Sequence, residues 1–341
     1  MTKERIQSIS NRNVSFDMMK GLGILFVIIG HMAHGYGLFP IIYVFHMPLF
    51  FIVSGYFYKP KPMSVLLKRD FRLLLLPFSL VVFLMLVYGA IMALLRHDTS
   101  KFTYWLDCVI YLIFPWNYVP GHGIGPLWFL LAMFWCRMGY NLFNIFVVNK
   151  IVKRRVMYLV VMVSLVFFVT VRYVPLDYNV CCILVGFSAM FFYMIGLLAK
   201  YYNFNVGKLW SILFVLVGLI CVYYSMGGVS MAGMEYNLIL VNVIAATSVT
   251  YLIYWVCRRM EETKFGMLLA WLGRLSIAAF CIHSLMFRIL PLDRFVIMFA
   301  PQADDLVIHG VVTLLHVVIS FYFCMIVERM RIMRVIFGLE K

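Results

Sequence analysis

Residues 14–56 decide the fold: VSFDMMKGLGILFVIIGHMAHGYGLFPIIYVFHMPLFFIVSGY. Two apolar runs, about 18–39 and 41–58, are parted only by a turn at Phe39-Pro40. Each is close to the roughly 20 residues a helix needs to cross a bilayer. A join this short makes the two helices antiparallel neighbours. The polar residues in them are few and individually placed: Asp17, Lys20, His31, His34, His46 and Ser54.

The same pattern continues outward along the chain. Eight further apolar windows follow, at about 71–95, 127–149, 156–174, 178–199, 209–226, 237–257, 267–290 and 305–327. Of the 341 residues, 65% are hydrophobic and 13% are charged, against about half and a quarter in soluble domains. The excess is spread evenly, so the bilayer is the solvent for the whole chain. The expected architecture is all-α, a polytopic integral membrane bundle of about ten transmembrane helices in a single domain over 1–341. Tyr104 to Trp116 is apolar too, but it is short and carries Asp107; it is expected to be re-entrant or interfacial. The first span has no small-residue cleavage site before it and is expected to be retained.

Charge orients the bundle. With ten spans, 22 of the 29 Lys and Arg fall in the terminal segments and the loops on their side, five fall on the other side, and Arg137 and Arg274 lie within spans. The positive-inside rule then puts both termini in the cytoplasm. The net charge of +15 is accounted for mainly by topology and anionic headgroups, and it also favours an anionic cytosolic ligand. No nucleic-acid motif is present. The eight Cys form no C-x-x-C pair, so neither a disulfide framework nor a metal site is expected.

Ionisable side chains within spans are costly and mark candidate sites. Lys20 and His31 are eleven residues apart, which is three helical turns plus roughly 20°, with an axial separation of about 16 Å. They share a stripe, and Asp17 stands one turn from Lys20, able to pair with it. The helical hairpin brings His46 to a depth similar to that of His31. Pro48 loosens the second helix. Ser54-Gly55 permits close approach of a neighbour or a ligand. Arg69 and Arg72 share a face at the start of the third span and suit phosphates, as well as headgroups.

These residues, in this order, resemble the membrane acyltransferase family 3. Its basic residue, ten residues, then His pattern is matched by Lys20 and His31, within the fuller frame of Asp17, Gly21 and Gly30. Its Phe-Phe-x-x-Ser-Gly-Tyr element is matched by Phe50, Phe51, Ser54, Gly55 and Tyr56, and its Arg-x-x-Arg element by Arg69 and Arg72. The run from His46 to Phe51 is most similar to the fucose 4-O-acetylase-like branch. Pro77, Leu127-Trp128-Phe129 and Gly273-x-x-Ser276…His283 are softer echoes.

The resemblance implies an O-acyltransferase that uses acyl-CoA, most often acetyl-CoA, as a donor substrate with no bound cofactor. The acceptor it implies is a sugar hydroxyl of a cell-surface glycan or a lipid-linked precursor. His31 is the expected catalytic base, with Lys20 and Asp17 completing the catalytic stripe. Arg69, Arg72, Ser54 and Gly55 are expected to bind the donor, and His46, Trp128 and His283 to line the acceptor cavity. His97, His122, His309 and His316 are expected in loop or packing roles, and Gly121-His122-Gly123 as a mobile lip. Some family members carry an additional extracytoplasmic hydrolase-like domain. This sequence shows none, so it is expected to finish the transfer itself or with a separate partner. The expected location is the cell membrane, as in a bacterial inner membrane. The competing class is a transporter or flippase with a buried His/Asp/Lys site, whose inverted repeats are not seen.

Overall fold

The computed structural model describes residues 13–32, 38–96, 99–113, 125–146, 155–175, 178–202, 207–226, 228–290, 292–300, 302 and 304–339. His34, His97 and the 121–123 lip lie outside them.

The described chain is helical almost throughout. The elements are α1 (Val14–Met32), α2 (Leu38–Tyr56), α3 (Met63–Asp70), a π-helical segment (Phe71–Leu75), α4 (Leu76–Arg96), α5 (Ser100–Ile113), α6 (Trp128–Phe146), α7 (Arg155–Tyr173), α8 (Ile183–Tyr201) and α9 (Lys208–Ser225). Then come β1 (Val229–Ser230) and β2 (Glu235–Tyr236), α10 (Ile239–Arg259), α11 (Lys264–Arg274), α12 (Ser276–Ile289), α13 (Leu292–Phe299), α14 (Asp305–Arg329) and α15 (Arg331–Ile336). The strands form one small antiparallel hairpin pairing Val229 with Tyr236.

The described residues of each apolar window are largely helical. Among the described residues, five helical stretches are by themselves long and apolar enough to cross a membrane: 14–32, 63–95, 180–201, 239–259 and 305–329. A sixth is the pair α11–α12, bent by 73°. Shorter apolar helices lie at 40–56, 158–173 and 209–225. α5 is a 14-residue helix, too short for an easy crossing. Outward faces carry large apolar side chains such as Leu94, Leu240, Trp210 and Phe299. In water such a surface would aggregate; in lipid it is the ordinary exterior of a span.

Helices in lipid gain little from apolar burial against one another, so small residues that let backbones close in decide the packing. Two crossings depend on this. At α2–α8, a Cβ on Gly55 would run into the Tyr193 carbonyl, and one on Gly196 into the Ile52 carbonyl. At α1–α11, a Cβ on Gly21 would strike the Leu269 carbonyl, and one on Gly273 the Asp17 carbonyl. α6 packs on α8 behind them, with Phe51, Leu130, Tyr140, Phe192 and Tyr193 buried in the shared core. α12 and α14 close the other flank of α1.

Candidate functional site

A cavity of about 750 Å³ lies between α1, α2, α6 and α12. α1 lines it with Lys20, Ile24 and Val27, successive residues of one stripe, on which His31 comes next. α2 contributes Met47, Phe50 and Ser54, and α12 contributes Ser276 and Phe280, with His283 following on that face. The cavity is therefore apolar-walled along its length, and it points from the Lys20 end toward the imidazoles.

The Lys20 end is basic. Lys20, Lys59, Lys61, Arg69 and Arg137 all line the cavity. Two carboxylates are built into this end. Asp17 pairs with Lys20 at 2.5 Å across one turn of α1, as the spacing predicts. Asp70, fully buried, lies 2.9 Å from Arg137 Nε, an ion pair that joins α3 to the middle of α6. An isolated buried carboxylate would be prohibitively costly, and the guanidinium offsets that cost.

The loop carrying Lys59 and Lys61 is clamped in place. Asn141, itself fully buried, accepts from Tyr58 Oη at 2.9 Å and donates to the Lys61 carbonyl at 2.9 Å. Lys61 has its pKa lowered, chiefly by repulsion from Arg69 and then by desolvation; Arg137 and Lys59 add to the repulsion, and Asp70 only partly opposes it. Uncompensated positive charge of this kind is a ready receptor for an anion.

The far end is a row of rings. His31 and His283 stack with centroids 5.7 Å apart. Tyr43 Oη lies 3.4 Å from His31 Nδ1, and the Tyr43 ring is 4.8 Å from that of His46. His316 stands edge-on to His283 at 5.9 Å. His46 Nδ1 donates to the Ile42 carbonyl at 2.7 Å. Because Nδ1–H is the donor there, Nε2 of the neutral ring carries the lone pair. His46, His283 and His316 are all buried.

The sequence-derived residues thus separate into those that meet at the cavity and those that do not. Lys20, Ser54 and Arg69 line it; Asp17 holds Lys20; His31, His46 and His283 gather beyond it. Arg72 is exposed and away from the lining. It falls within the π-helical segment, whose i→i+5 bonds carry it out of register with Arg69. Gly55 is the contact point with α8 rather than part of the cavity wall. Trp128 is half-buried and packs edge-on to Phe129, which is the residue that lines the cavity.

The sequence assigns no site role to three participants. Arg137 was legible as a charge in mid-span, the signal that marks a site. Asn141 lies one turn further on the same face of α6. His316 follows His309 by seven residues, a repeat that returns to the same face after about two turns.

Among the described residues no group of three or more His, Cys, Asp or Glu could hold a metal ion. No curated protein and no solved structure matches the chain. The family model of acyltransferase family 3, described as an acyltransferase domain, matches residues 13–328. That span takes in both ends of the cavity and the whole imidazole row, and by it this multi-pass chain belongs to acyltransferase family 3, as a membrane acyltransferase.

Proposed function

We propose that the protein transfers an acetyl group from acetyl-CoA to a sugar hydroxyl of a cell-surface glycan or its lipid-linked precursor. The observation that carries this reading is the cavity itself, with five basic side chains at one end and a row of imidazoles beyond the other. Acetyl-CoA has a matching asymmetry: multiply charged phosphates, a long neutral pantetheine arm and a thioester at its tip. Phosphates held by Arg69, Lys61 and Arg137 would let the arm run along Ile24, Val27 and Phe50. The thioester would then reach the His31 end.

In this reading ten spans place both termini and the basic rim in the cytoplasm, where acetyl-CoA is found, and the location is a bacterial inner membrane. The acceptor approaches from the other side. An alcohol is a weak nucleophile until a base takes its proton during attack. His31 is that base, since a neutral imidazole accepts a proton near physiological pH. Its proton passes from the acceptor oxygen to His31 and then to the leaving CoA sulfur. Tyr43 keeps the His31 ring in place, and Ser54 shapes the wall at mid-cavity. His46 and His283 bound the acceptor side. The likeness of His46 to Phe51 to the fucose 4-O-acetylase-like branch supports a sugar acceptor.

The test is purified protein in lipid with labelled acetyl-CoA, with and without a glycan acceptor. Label on the acceptor supports the reading. A protein that consumes no acetyl-CoA under either condition sinks it and favours transport.

A further inference from the structure

His283 is a buried imidazole with neither ring nitrogen hydrogen-bonded among the described residues. Burying a polar group unpaired is costly, so one retained between two other histidines calls for a use. The partner on one side is His31, at 5.7 Å between centroids; on the other it is His316, at 5.9 Å and edge-on.

The chemistry of His316 is fixed by its own backbone. Its Nδ1 lies 3.1 Å from the Val312 carbonyl oxygen. A carbonyl can only accept, so Nδ1 carries the proton and Nε2 of the neutral ring carries a lone pair. Among the described residues, Nε2 is the His316 ring nitrogen with no partner. Toward His283, then, His316 offers only an acceptor. A hydrogen bond from His283 to that lone pair would put the proton on the His283 nitrogen nearer to His316. The other His283 nitrogen is left with its lone pair.

We infer that His316 is a positioning residue that fixes the tautomer of His283, so that His283 turns an unprotonated nitrogen toward the positive charge that forms on the stacked His31 ring. The inference rests on the acyl-transfer reading above and adds an orienting chain to it: Val312 carbonyl, His316, His283, His31. The step balances without any other reactant. The acceptor O–H proton goes to His31, the acceptor oxygen bonds to the thioester carbon, the C–S bond breaks with its electron pair on sulfur, and His31 returns the proton to that sulfur. His283 and His316 begin and end the cycle neutral. Their part is to stabilise the His31 cation while it exists, as an oriented acceptor does in other catalytic chains built on imidazole.

His316→Phe keeps a planar ring but removes the acceptor; His316→Gln restores an acceptor oxygen near the place of Nε2. For His316→Phe, kcat is expected to fall about ten- to a hundredfold, as when an outer partner of a functional imidazole is lost, with KM for acetyl-CoA unchanged. His316→Gln recovers most of the loss. Wild-type kcat in His316→Phe, or no recovery in His316→Gln, overturns the inference.

A second readout needs no turnover. The ¹⁵N spectrum of histidine-labelled wild-type protein, with His283 assigned by its loss in His283→Asn, is expected to show one tautomer. A tautomer mixture in wild type overturns the inference. A wild type that transfers no acetyl but shows one tautomer breaks the acyl-transfer reading and leaves the His316–His283 geometry standing.

Discussion

The two ends of the cavity solve different physical problems. At the Lys20 end the groups are charged, multiple and partly paired: Asp17 with Lys20, Asp70 with Arg137, and Lys59, Lys61 and Arg69 around them. Several cations share the load there, so the loss of one is expected to weaken binding by a modest factor. At the His31 end the groups are aromatic rings, mostly buried and set in a row, each against the next. A chain of single contacts has no substitute for a missing member. Charge number governs one end and geometry the other.

The largest expected effect belongs to the ring end. His31→Ala should lower acyl transfer by about 10²- to 10⁴-fold, the ordinary worth of a positioned general base. Donor binding and accumulation in the membrane should persist. Activity near wild type in that variant would break the comparison at its strongest point.

The next effect tests the rim as structure. Asp70→Ala leaves the Arg137 guanidinium, which is 16% exposed, without its carboxylate. Breaking one side of a buried pair costs about 3–5 kcal/mol, so thermal unfolding should shift downward clearly. Asp70→Leu with Arg137→Leu should recover much of that stability while still impairing donor binding. Equal Tm values for wild type and Asp70→Ala would show that the pair carries no structural weight.

Arg69→Ala should raise KM for acetyl-CoA about tenfold, the worth of one charge-assisted hydrogen bond, with little change in kcat. Arg72→Ala should change neither by more than about twofold, because its side chain is exposed off the cavity, as surface cations usually contribute little. Equal effects from the two arginines would mean that the π-helical segment does not separate them in function.

The smallest effect is a pH dependence at Lys61. Its pKa lies below the ordinary lysine value of 10.5 because Arg69, partial burial and Arg137 all disfavour its charge. The protonated form attracts the donor phosphates. KM for acetyl-CoA should therefore rise as pH increases through the lowered pKa. Lys61→Arg keeps its charge across that range, so the alkaline rise should flatten. An identical alkaline limb in both proteins would remove Lys61 from donor binding.

Much of this was legible in residues 14–56. The Lys20–His31 stripe, the Asp17–Lys20 pair and the arrival of His46 beside it follow from helical periodicity and a short turn. The apolar windows located the helices because hydropathy reports which segments the bilayer accepts. It does not report hydrogen-bond register, so neither the π-helical segment after Asp70 nor the 73° bend at Leu275 was visible. The register change is what parts Arg72 from Arg69, two residues the sequence joins. The doublet Ser54-Gly55 was readable both as a packing notch and as a cavity wall, and the structure divides it: Gly55 meets α8, Ser54 faces the cavity. His316 passed as a packing residue because nothing within its own helix betrays it. Its neighbours on the ring row come from α12 and α1, and long-range juxtaposition leaves no mark in local spacing.

The most direct measurement is the rate at which label moves from acetyl-CoA to a glycan acceptor, for wild type and His31→Ala side by side in lipid at saturating donor. Wild type is expected to transfer label, with a loss of at least about a hundredfold in the variant. Equal rates, or no transfer by wild type, would contradict that expectation.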